Sequence, residues 1–204
     1  MELDLQERRL SHHLKSQALI LGGFLLAFWL LEIADQFIFH HALDGLGVRP
    51  RTVAGLRGIL FAPFLHGSFP HLIANTIPFL VLGWFVLLQG GRQFWLVTFT
   101  TMVVSGLGMW LFGRANSIHL GASGLIFGYF GFLLLRAYFE RSARAFLWAV
   151  VVFLLYGGML WGLVSFQAGI SWQAHLFGFV GGGVAAYLLG QQPRPLSDQI
   201  VIYE

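Results

Sequence analysis

Long apolar stretches alternate with short polar segments along this chain, and the apolar stretches have the length of membrane-spanning helices. Six of them are separated by charges, glycines or polar loops, and each is long enough to cross about 30 Å of hydrocarbon as an α-helix. They cover residues 18–39, 70–88, 94–112, 122–139, 145–163 and 172–189. The pattern therefore predicts an all-α polytopic membrane protein with six transmembrane helices.

The polar segments divide the chain into three parts. We expect a polar N-terminal segment, a six-span domain and a polar, poorly ordered tail, over residues 1–17, 18–190 and 191–204. The N-terminal segment leads into an apolar run too long for a cleavable signal peptide, so it is expected to stay attached. The connection over residues 40–69 sets three arginines beside an apolar stretch, which predicts a first loop lying in the membrane interface.

Composition supports the membrane assignment and excludes several classes of protein. Of the 204 residues, 57% are hydrophobic and 10% are charged, and the mean hydropathy is +0.73, which is untypical of a soluble domain. The chain has no cysteine, so disulfides, zinc–thiolate sites and a thiol nucleophile are excluded. The net charge of +3 comes without a basic stripe interleaved with aromatics, so no nucleic-acid partner is expected.

The positions of Lys and Arg predict the orientation in the membrane. With the N-terminus inside, the inner segments hold eight of the twelve positive residues and the outer segments hold four. The inner ones are Arg8, Arg9, Lys15, Arg92, Arg136, Arg141, Arg144 and Arg194; the outer ones are Arg49, Arg51, Arg57 and Arg114. Because positive charge favours the cytoplasmic side, both termini are predicted to be cytoplasmic.

Two acids, Glu32 and Asp35, lie near the outer end of the first predicted span. Acidic residues within a span usually face the helix bundle or reach the interface. We therefore expect them to pair with an arginine of the first loop, Arg51 or Arg57, rather than to take part in chemistry.

Four polar residues lie near the outer ends of the second, fourth and sixth predicted spans, which are parallel. His71 and Asn75 are in the first turns of the second span and share one helix face, because they are four residues apart. Ser123 begins the fourth span, and His175 is in the first turn of the sixth. All four are therefore expected at about the same depth, in the outer leaflet.

Close packing of the fourth and sixth spans would bring Ser123 to His175. Each of these spans carries a Gly-x-x-x-Gly pair close to its polar residue, namely Gly124 with Gly128 and Gly178 with Gly182. Glycines at this spacing let membrane helices approach closely. The pairs alone are weak evidence, but their position beside the serine and the histidine favours a shared site.

These side chains together predict acyl-transfer chemistry. A neutral imidazole can take the proton of a serine hydroxyl near pH 7, and His71, Asn75 and the Ser123 backbone N–H can donate to the oxyanion that follows. Residues 58–139 and 145–193 contain no acid. We therefore expect a Ser123–His175 dyad, with Glu32 or Asp35 only as a remote third member.

Each of these residues also has an ordinary structural interpretation. A lone membrane serine more often allows helices to pack, and His71, Asn75 and His175 taken singly would more often pack, bridge helices or face the interface. Their coincidence at one depth favours the catalytic interpretation. His66 and His119 are expected to be solvated or to make local hydrogen bonds. No metal site is expected, since no His-x-x-x-His pair or nearby carboxylate cluster is present.

The motifs resemble those of the rhomboid intramembrane serine proteases. They are His-Leu-Ile-Ala-Asn at residues 71–75, Gly-Ala-Ser-Gly at residues 121–124, and Ala-His-Leu-Phe-Gly at residues 174–178 followed by Gly182. Each motif is short, but their order and spacing are specific, and the resemblance covers residues 18–190. Derlins and inactive rhomboids resemble this architecture while lacking the serine or the histidine, whereas this chain has both.

The resemblance implies a six-transmembrane-helix rhomboid-like bundle that acts as a serine endopeptidase without a cofactor. The implied roles are Ser123 as nucleophile, His175 as general base, His71, Asn75 and the Ser123 amide as oxyanion hole, and Gly121 as the residue that shapes the adjoining loop. In many members of the family that this chain resembles, a tyrosine one helical turn after the serine stacks on the catalytic histidine. Here that position is Phe127, which has the aromatic ring and lacks the hydroxyl. The first loop has Arg49-Pro50-Arg51 where many members have a Trp-Arg pair.

The implied partners are transmembrane protein substrates and the lipid bilayer, and the implied location is a bacterial cytoplasmic membrane. The sequence does not indicate an oligomeric state. Because an intact helix hides its carbonyls in internal hydrogen bonds, substrates with helix-destabilising residues near the cut should enter the site more easily. The alternative is a non-proteolytic rhomboid-like protein that binds or escorts transmembrane helices. A solute transporter is disfavoured, since no inverted repeat is evident.

Overall fold

The computed structural model is helical throughout most of the chain that it describes, residues 2–164 and 171–191, with side chains from Ser11 onward except His12. The α-helices are α1 (Glu2–Ala34), α2 (Gly58–Phe61), α3 (Phe69–Leu87), α4 (Gly91–Phe112), α5 (Ser123–Glu140), α6 (Ala143–Tyr156) and α7 (Trp172–Gly190). A π-helical turn (Asp35–Phe39) and four 3-10 segments (Leu43–Leu46, Val53–Arg57, Ala62–Phe64 and Gly157–Leu163) connect them. The predicted polar break at 165–170 and the tail at 192–204, with Arg194, lie outside the described residues.

Each of the six predicted spans corresponds to a helix. The helices α3, α4, α5 and α7, and α6 with its 3-10 extension, begin and end within three residues of the predicted bounds. The first helix differs, because α1 begins at Glu2 instead of residue 18. The polar segment at 1–17 contains neither glycine nor proline and is rich in Leu, Glu, Arg and Lys, so it extends the helix rather than preceding it.

Among the residues that the structure describes, four helical segments are long and apolar enough to cross a membrane, which supports a multi-pass membrane protein. They are His13–Phe39, Phe69–Leu87, Gly91–Phe112 and Ala143–Leu163. The helices α5 and α7 have similar lengths but contain several glycines and polar residues, among them Arg136 in α5 and Gln173 in α7. The count of six spans therefore stays a prediction.

Helix α5 forms the centre of the bundle. Its residues 124–133 are all buried, and it packs against α3, α4, α6 and α7. A helix that is apolar on every face is stable only when other helices surround it. The Tyr129 hydroxyl lies in this core and shares a hydrogen bond of 2.9 Å with the Thr98 hydroxyl of α4, so the one phenol in the core is satisfied.

The close packing of α5 and α7 that the glycine pairs predict is confirmed. A Cβ atom at Gly178 would overlap the Gly124 carbonyl oxygen, and one at Gly182 would overlap the Gly128 carbonyl oxygen. The backbones of the two helices therefore touch directly. On the other side of α7, the Ser105 hydroxyl of α4 donates to the Ala174 carbonyl at 3.0 Å, which fixes the start of α7 against the bundle.

Replacing Gly182 by alanine is expected to destabilise the protein. The added methyl group meets backbone, which cannot rotate away, so α5 and α7 must separate at a cost of about 1–3 kcal/mol. The measurement is the midpoint of thermal unfolding in detergent micelles. Gly22→Ala is the matched control, since nothing lies within 4 Å of the position of its Cβ. Equal unfolding midpoints for the two variants would contradict the expectation.

The first loop folds into short helical turns that pack on the outer end of α4. The Arg51 guanidinium donates to the carbonyls of Leu111 and Gly113 at 2.9 and 3.0 Å, and the Trp110 indole donates to the Thr52 carbonyl at 2.8 Å. Several of its apolar side chains, such as Val53, stay exposed. This arrangement fits a loop at the membrane interface, which stays a prediction.

Candidate active site

A cavity of about 710 Å³ opens between the outer ends of α3, α5 and α7. Five of the residues singled out from the sequence line it: His71, Asn75, Ser123, Phe127 and His175. They come from three helices that start at the same end of the bundle, as the prediction of equal depth requires. The cavity is therefore the candidate active site.

Ser123 is the first residue of α5, and the turn before it is held tightly. Gly121 has φ +117°, and a Cβ atom there would lie 2.6 Å from Cε1 of His71. A side chain at this position would therefore be strained and would displace the imidazole. The Gly121 N–H donates to the Ala62 carbonyl at 2.9 Å. Gly121 thus shapes the loop beside the serine and lets His71 approach it.

His175 lies in the first turn of α7 and is 9% exposed. Its Nδ1 is 3.0 Å from the Gly162 carbonyl oxygen. A carbonyl can only accept a hydrogen bond, so Nδ1 carries the proton and Nε2 keeps its lone pair. The Phe127 ring stacks on the imidazole, with centroids 4.1 Å apart and planes at 10°. Two contacts therefore fix both the tautomer and the plane of this ring.

Gly162 takes the position that an acid has in a catalytic triad. Glu32 and Asp35, the remote candidates for a third member, lie at the end of α1, and Asp35 accepts a hydrogen bond from the Leu43 N–H at 2.8 Å. They do not line the cavity. Nδ1 of His175 donates instead to a backbone carbonyl of the 3-10 segment after α6.

Ser123 and His175 are neighbours in the cavity without a hydrogen bond between them. Within the described part of the chain, the side-chain hydrogen bond of His175 is the one to Gly162. Catalytic hydrogen bonds are often long or poorly aligned before substrate binds. The structure therefore orients the His175 ring through Gly162 and leaves Ser123 and His175 in one cavity without a hydrogen bond between them.

Asn75 and His71 supply side-chain donors to the same cavity. Asn75 is 7% exposed, and its buried Nδ2 has no hydrogen-bond partner. A buried amide without a partner costs about 1–3 kcal/mol, so such groups mark strain or function. His71 lies one turn earlier on α3, and the Ser68 hydroxyl caps that helix by accepting from the His71 N–H at 3.4 Å. The unpaired amide is positioned to donate to a ligand.

His66 contributes to this site in a way that the sequence did not indicate. It is 2% exposed rather than solvated, and its ring lies edge-on to that of His71 with centroids 5.3 Å apart. Its Nε2 accepts from the Ala122 N–H at 3.4 Å. Burial, and then the neighbouring His71, lower the pKa of His66 to about 3, so the imidazole stays neutral. His66 thereby supports both His71 and the turn before Ser123.

His119 makes local hydrogen bonds, which is one of the two roles expected for it; the other was exposure to solvent. Its Nε2 is 2.8 Å from the Ser117 hydroxyl, and its backbone exchanges two hydrogen bonds with Val48 at 2.8 and 2.9 Å. Burial lowers the pKa of His119. The pair joins the first loop to the loop before α5, and so helps to form the wall of the cavity.

The expected pairing of the acids with Arg51 or Arg57 is wrong. Both guanidinium groups donate to backbone carbonyls, Arg57 to that of Gly45 at 3.2 Å. The carboxylate of Asp35 instead lies within 4.8 Å of ligand atoms of His41 and Asp44. The π-helical turn at the end of α1 causes this, because it ends the helix at His40 and folds the loop back onto Asp35. This cluster was not predicted from the sequence.

Comparisons with known proteins show a family match and several relatives. A family model described as "Rhomboid domain" matches residues 54–192. An uncharacterized protein of Mycobacterium tuberculosis is 43% identical over 188 residues, covering 86% of this chain and 78% of that protein; one of Mycobacterium leprae is 41% identical over 179 residues, covering 84% and 70%. The "Putative rhomboid protease YdcA" of Bacillus subtilis is 30% identical over 130 residues, covering 63% and 64%.

Proposed function

Because this chain belongs to the rhomboid family, we propose that it is an intramembrane serine endopeptidase that hydrolyses single-span membrane proteins near the outer leaflet. One observation carries the proposal: Ser123 and His175 line one cavity, and Gly162 orients the histidine so that Nε2 is the free nitrogen. A protein that only bound or escorted helices would not need an oriented base beside a hydroxyl. The orientation of the chain, with both termini in the cytoplasm, belongs to the same proposal.

The first step forms an acyl-enzyme. The Ser123 hydroxyl oxygen attacks the substrate carbonyl carbon, while its proton moves to Nε2 of His175. The imidazolium that results still donates from Nδ1 to the Gly162 carbonyl, whose dipole favours the positive charge. His175 then gives its proton to the leaving amine as the peptide bond breaks. The new N-terminus leaves, and Ser123 carries the other product as an ester.

The oxyanion of the intermediate is stabilised by donors that face the cavity. The unpartnered Asn75 Nδ2 is one, the His71 imidazole is another, and the Ser123 N–H at the start of α5 is the third. The last is a first-turn amide with no helical partner, which also lies at the positive end of the helix dipole. Donors carried on folded helix starts would need little reorganisation as the charge develops.

Hydrolysis of the ester repeats the chemistry with water in the place of the serine. His175 removes a proton from water as the oxygen attacks the acyl carbon, and returns it to Ser123 as the ester bond breaks. Water has to reach the cavity from the outer loops, since polar residues such as Ser68 and Asp44 line that side. The cycle restores the free enzyme and needs neither metal nor organic cofactor.

Replacing Asn75 by alanine is expected to lower kcat by about 10²–10³-fold with little change in KM, because the lost donor acts mainly on the transition state. The measurement is steady-state cleavage in proteoliposomes. Thr76→Ala is the control, since the Thr76 hydroxyl donates to the Leu72 carbonyl within its own helix. An equal fall of kcat in both variants, or a rise of KM with kcat unchanged, would argue against an oxyanion role for Asn75.

Substrate choice should follow the stability of the substrate helix. Adding glycine or proline within about one turn of the cut should raise the cleavage rate, because the scissile carbonyl must leave its helical hydrogen bond to reach Ser123. The measurement is the initial rate for a series of single-span substrates that differ only at these positions. Rates that stay the same across the series would count against the unwinding requirement.

The proposed function is tested with the full chain reconstituted beside a single-span substrate, with EDTA present throughout. Cleavage under these conditions, together with a fluorophosphonate adduct located on Ser123 by mass spectrometry, is the expected result. Absence of cleavage and of the adduct across a varied substrate panel, with helix binding intact, would overturn the proposal and favour the escort function.

A further inference from the structure

Acidic residues gather where α1 meets the first loop, at the rim of the candidate active site. Asp35, His41 and Asp44 offer ligand atoms that all lie within 4.8 Å of one another. Nδ1 of His41 is 3.6 Å from an Asp44 carboxylate oxygen. Asp35 is held in this position because one of its oxygens accepts the Leu43 N–H. The three side chains therefore converge on one point.

A third acid, Glu32, is buried and faces the same cluster. Glu32 lies three residues before Asp35, on the same side of α1. It is 3% exposed, and its Oε2 has no hydrogen-bond partner. It is close enough to Asp35, Asp44 and His41 to interact with each of them electrostatically. A buried carboxylate with a free oxygen is costly unless a cation or a donor meets it.

The charge of this cluster is unbalanced within the described part of the chain. Three carboxyl groups lie together, and one imidazole is the basic group in contact with them. The nearby Arg57 donates to the Gly45 carbonyl instead. Asp44 also has a buried oxygen, Oδ1, without a partner. Two carboxylates of the cluster, Glu32 and Asp44, therefore each keep a buried oxygen without a hydrogen-bond partner.

We propose that Asp35, His41 and Asp44 bind a divalent first-row metal ion, such as Mn²⁺ or Zn²⁺, with Glu32 accepting a hydrogen bond from a water on that ion. Carboxylate oxygens with one imidazole nitrogen are ligands that these ions accept. Ca²⁺ should bind more weakly, because it prefers oxygen ligands and one of the three proposed ligands is the imidazole nitrogen of His41. Asp44 also lines the candidate active site, so the ion lies at the outer rim of the cavity and joins α1 to the first loop.

The test measures metal binding directly and needs no substrate, so its outcome is independent of the proposed protease activity. The full chain, purified in detergent without a histidine tag, is titrated with Mn²⁺ while EPR follows the six-line signal of the free ion. One saturable Mn²⁺ per chain is expected, with displacement by Zn²⁺. The bound ion should also raise the unfolding temperature, because it binds only the folded protein.

Two substitutions and one matched control locate the site. His41→Gln and Asp44→Asn should each weaken Mn²⁺ binding at least about tenfold, as expected when a ligand is lost. His40→Gln should leave Mn²⁺ binding unchanged. His40 is a fair control because it precedes His41, is exposed and has a similar left-handed backbone, with φ 47° against 66° for His41. His41 is itself exposed, so its loss should not unfold the protein. No saturable binding, or equal loss in His40→Gln and His41→Gln, overturns the proposal.

Discussion

Replacing Ser123 by alanine is expected to abolish cleavage, with a loss of at least about 10⁴-fold in kcat/KM. The substitution removes the one oxygen that can form the acyl-enzyme, while the small Ala side chain fits the same helix start. The unfolding temperature and the binding of the substrate helix should therefore stay as in the parent protein. The measurement is single-turnover cleavage in proteoliposomes, with the fluorophosphonate adduct as a second readout.

The matched control for this variant is Ser16→Ala, at an exposed position on α1 far from the cavity. It should cleave at the parent rate and form the same adduct at Ser123. If Ser123→Ala retained activity within about tenfold of the parent, another nucleophile would have to be responsible and the dyad would be wrong. Loss of helix binding in the same variant would instead point to a folding defect.

Replacing His175 by alanine is expected to lower cleavage at least about 10³-fold, because Ser123 loses its base. The variant also loses the hydrogen bond to Gly162 and the stacking on Phe127, so its stability has to be measured beside its activity. The space that the ring leaves should admit free imidazole, and partial rescue of cleavage by added imidazole is expected. Rescue distinguishes a missing base from a distorted site.

His13→Ala is the control for the histidine variant, since His13 is exposed on α1. It should cleave at the parent rate and should not respond to imidazole. A His175→Ala protein that cleaves as fast as this control would remove His175 from the mechanism. A variant that fails to fold is recognised by its unfolding temperature, and His175→Gln then provides a substitute of closer size.

The sequence predicted the helices of the bundle well because apolar runs ended by charges and glycines mark where helices can cross a membrane. It placed the start of α1 too late, since hydropathy reports the apolar part of a helix and not its polar extension. The contact of α5 with α7 was predictable from Gly178 and Gly182, where any larger side chain meets backbone. The number of helices that cross the membrane remains a prediction.

The sequence predicted which side chains line the candidate site, but not the groups that hold them in position. The helices of Ser123, His175, His71 and Asn75 begin at the same end of the bundle, so these side chains line one cavity as expected. Their catalytic roles stay a prediction. Gly162 could not be found, since it acts through a backbone carbonyl that every residue possesses. His66 lies five residues before His71, and only the turn through Gly67 and Ser68 brings the two rings together. The acid cluster depends on a π-helical turn, which carries no clear sequence signal.

The hydrogen bond from His175 to the Gly162 carbonyl places part of the candidate active site on the most weakly packed segment of the described bundle. Of the residues from Ala143 to Leu163, only Ala145 and Val152 are buried, and Trp161, beside Gly162, is 79% exposed. Such a segment is positioned by acyl chains and headgroups, where an exposed tryptophan anchors at the interface. For the proposed protease, bilayer thickness should therefore affect the rate of cleavage: a mismatch that tilts this segment would move the carbonyl that accepts from His175.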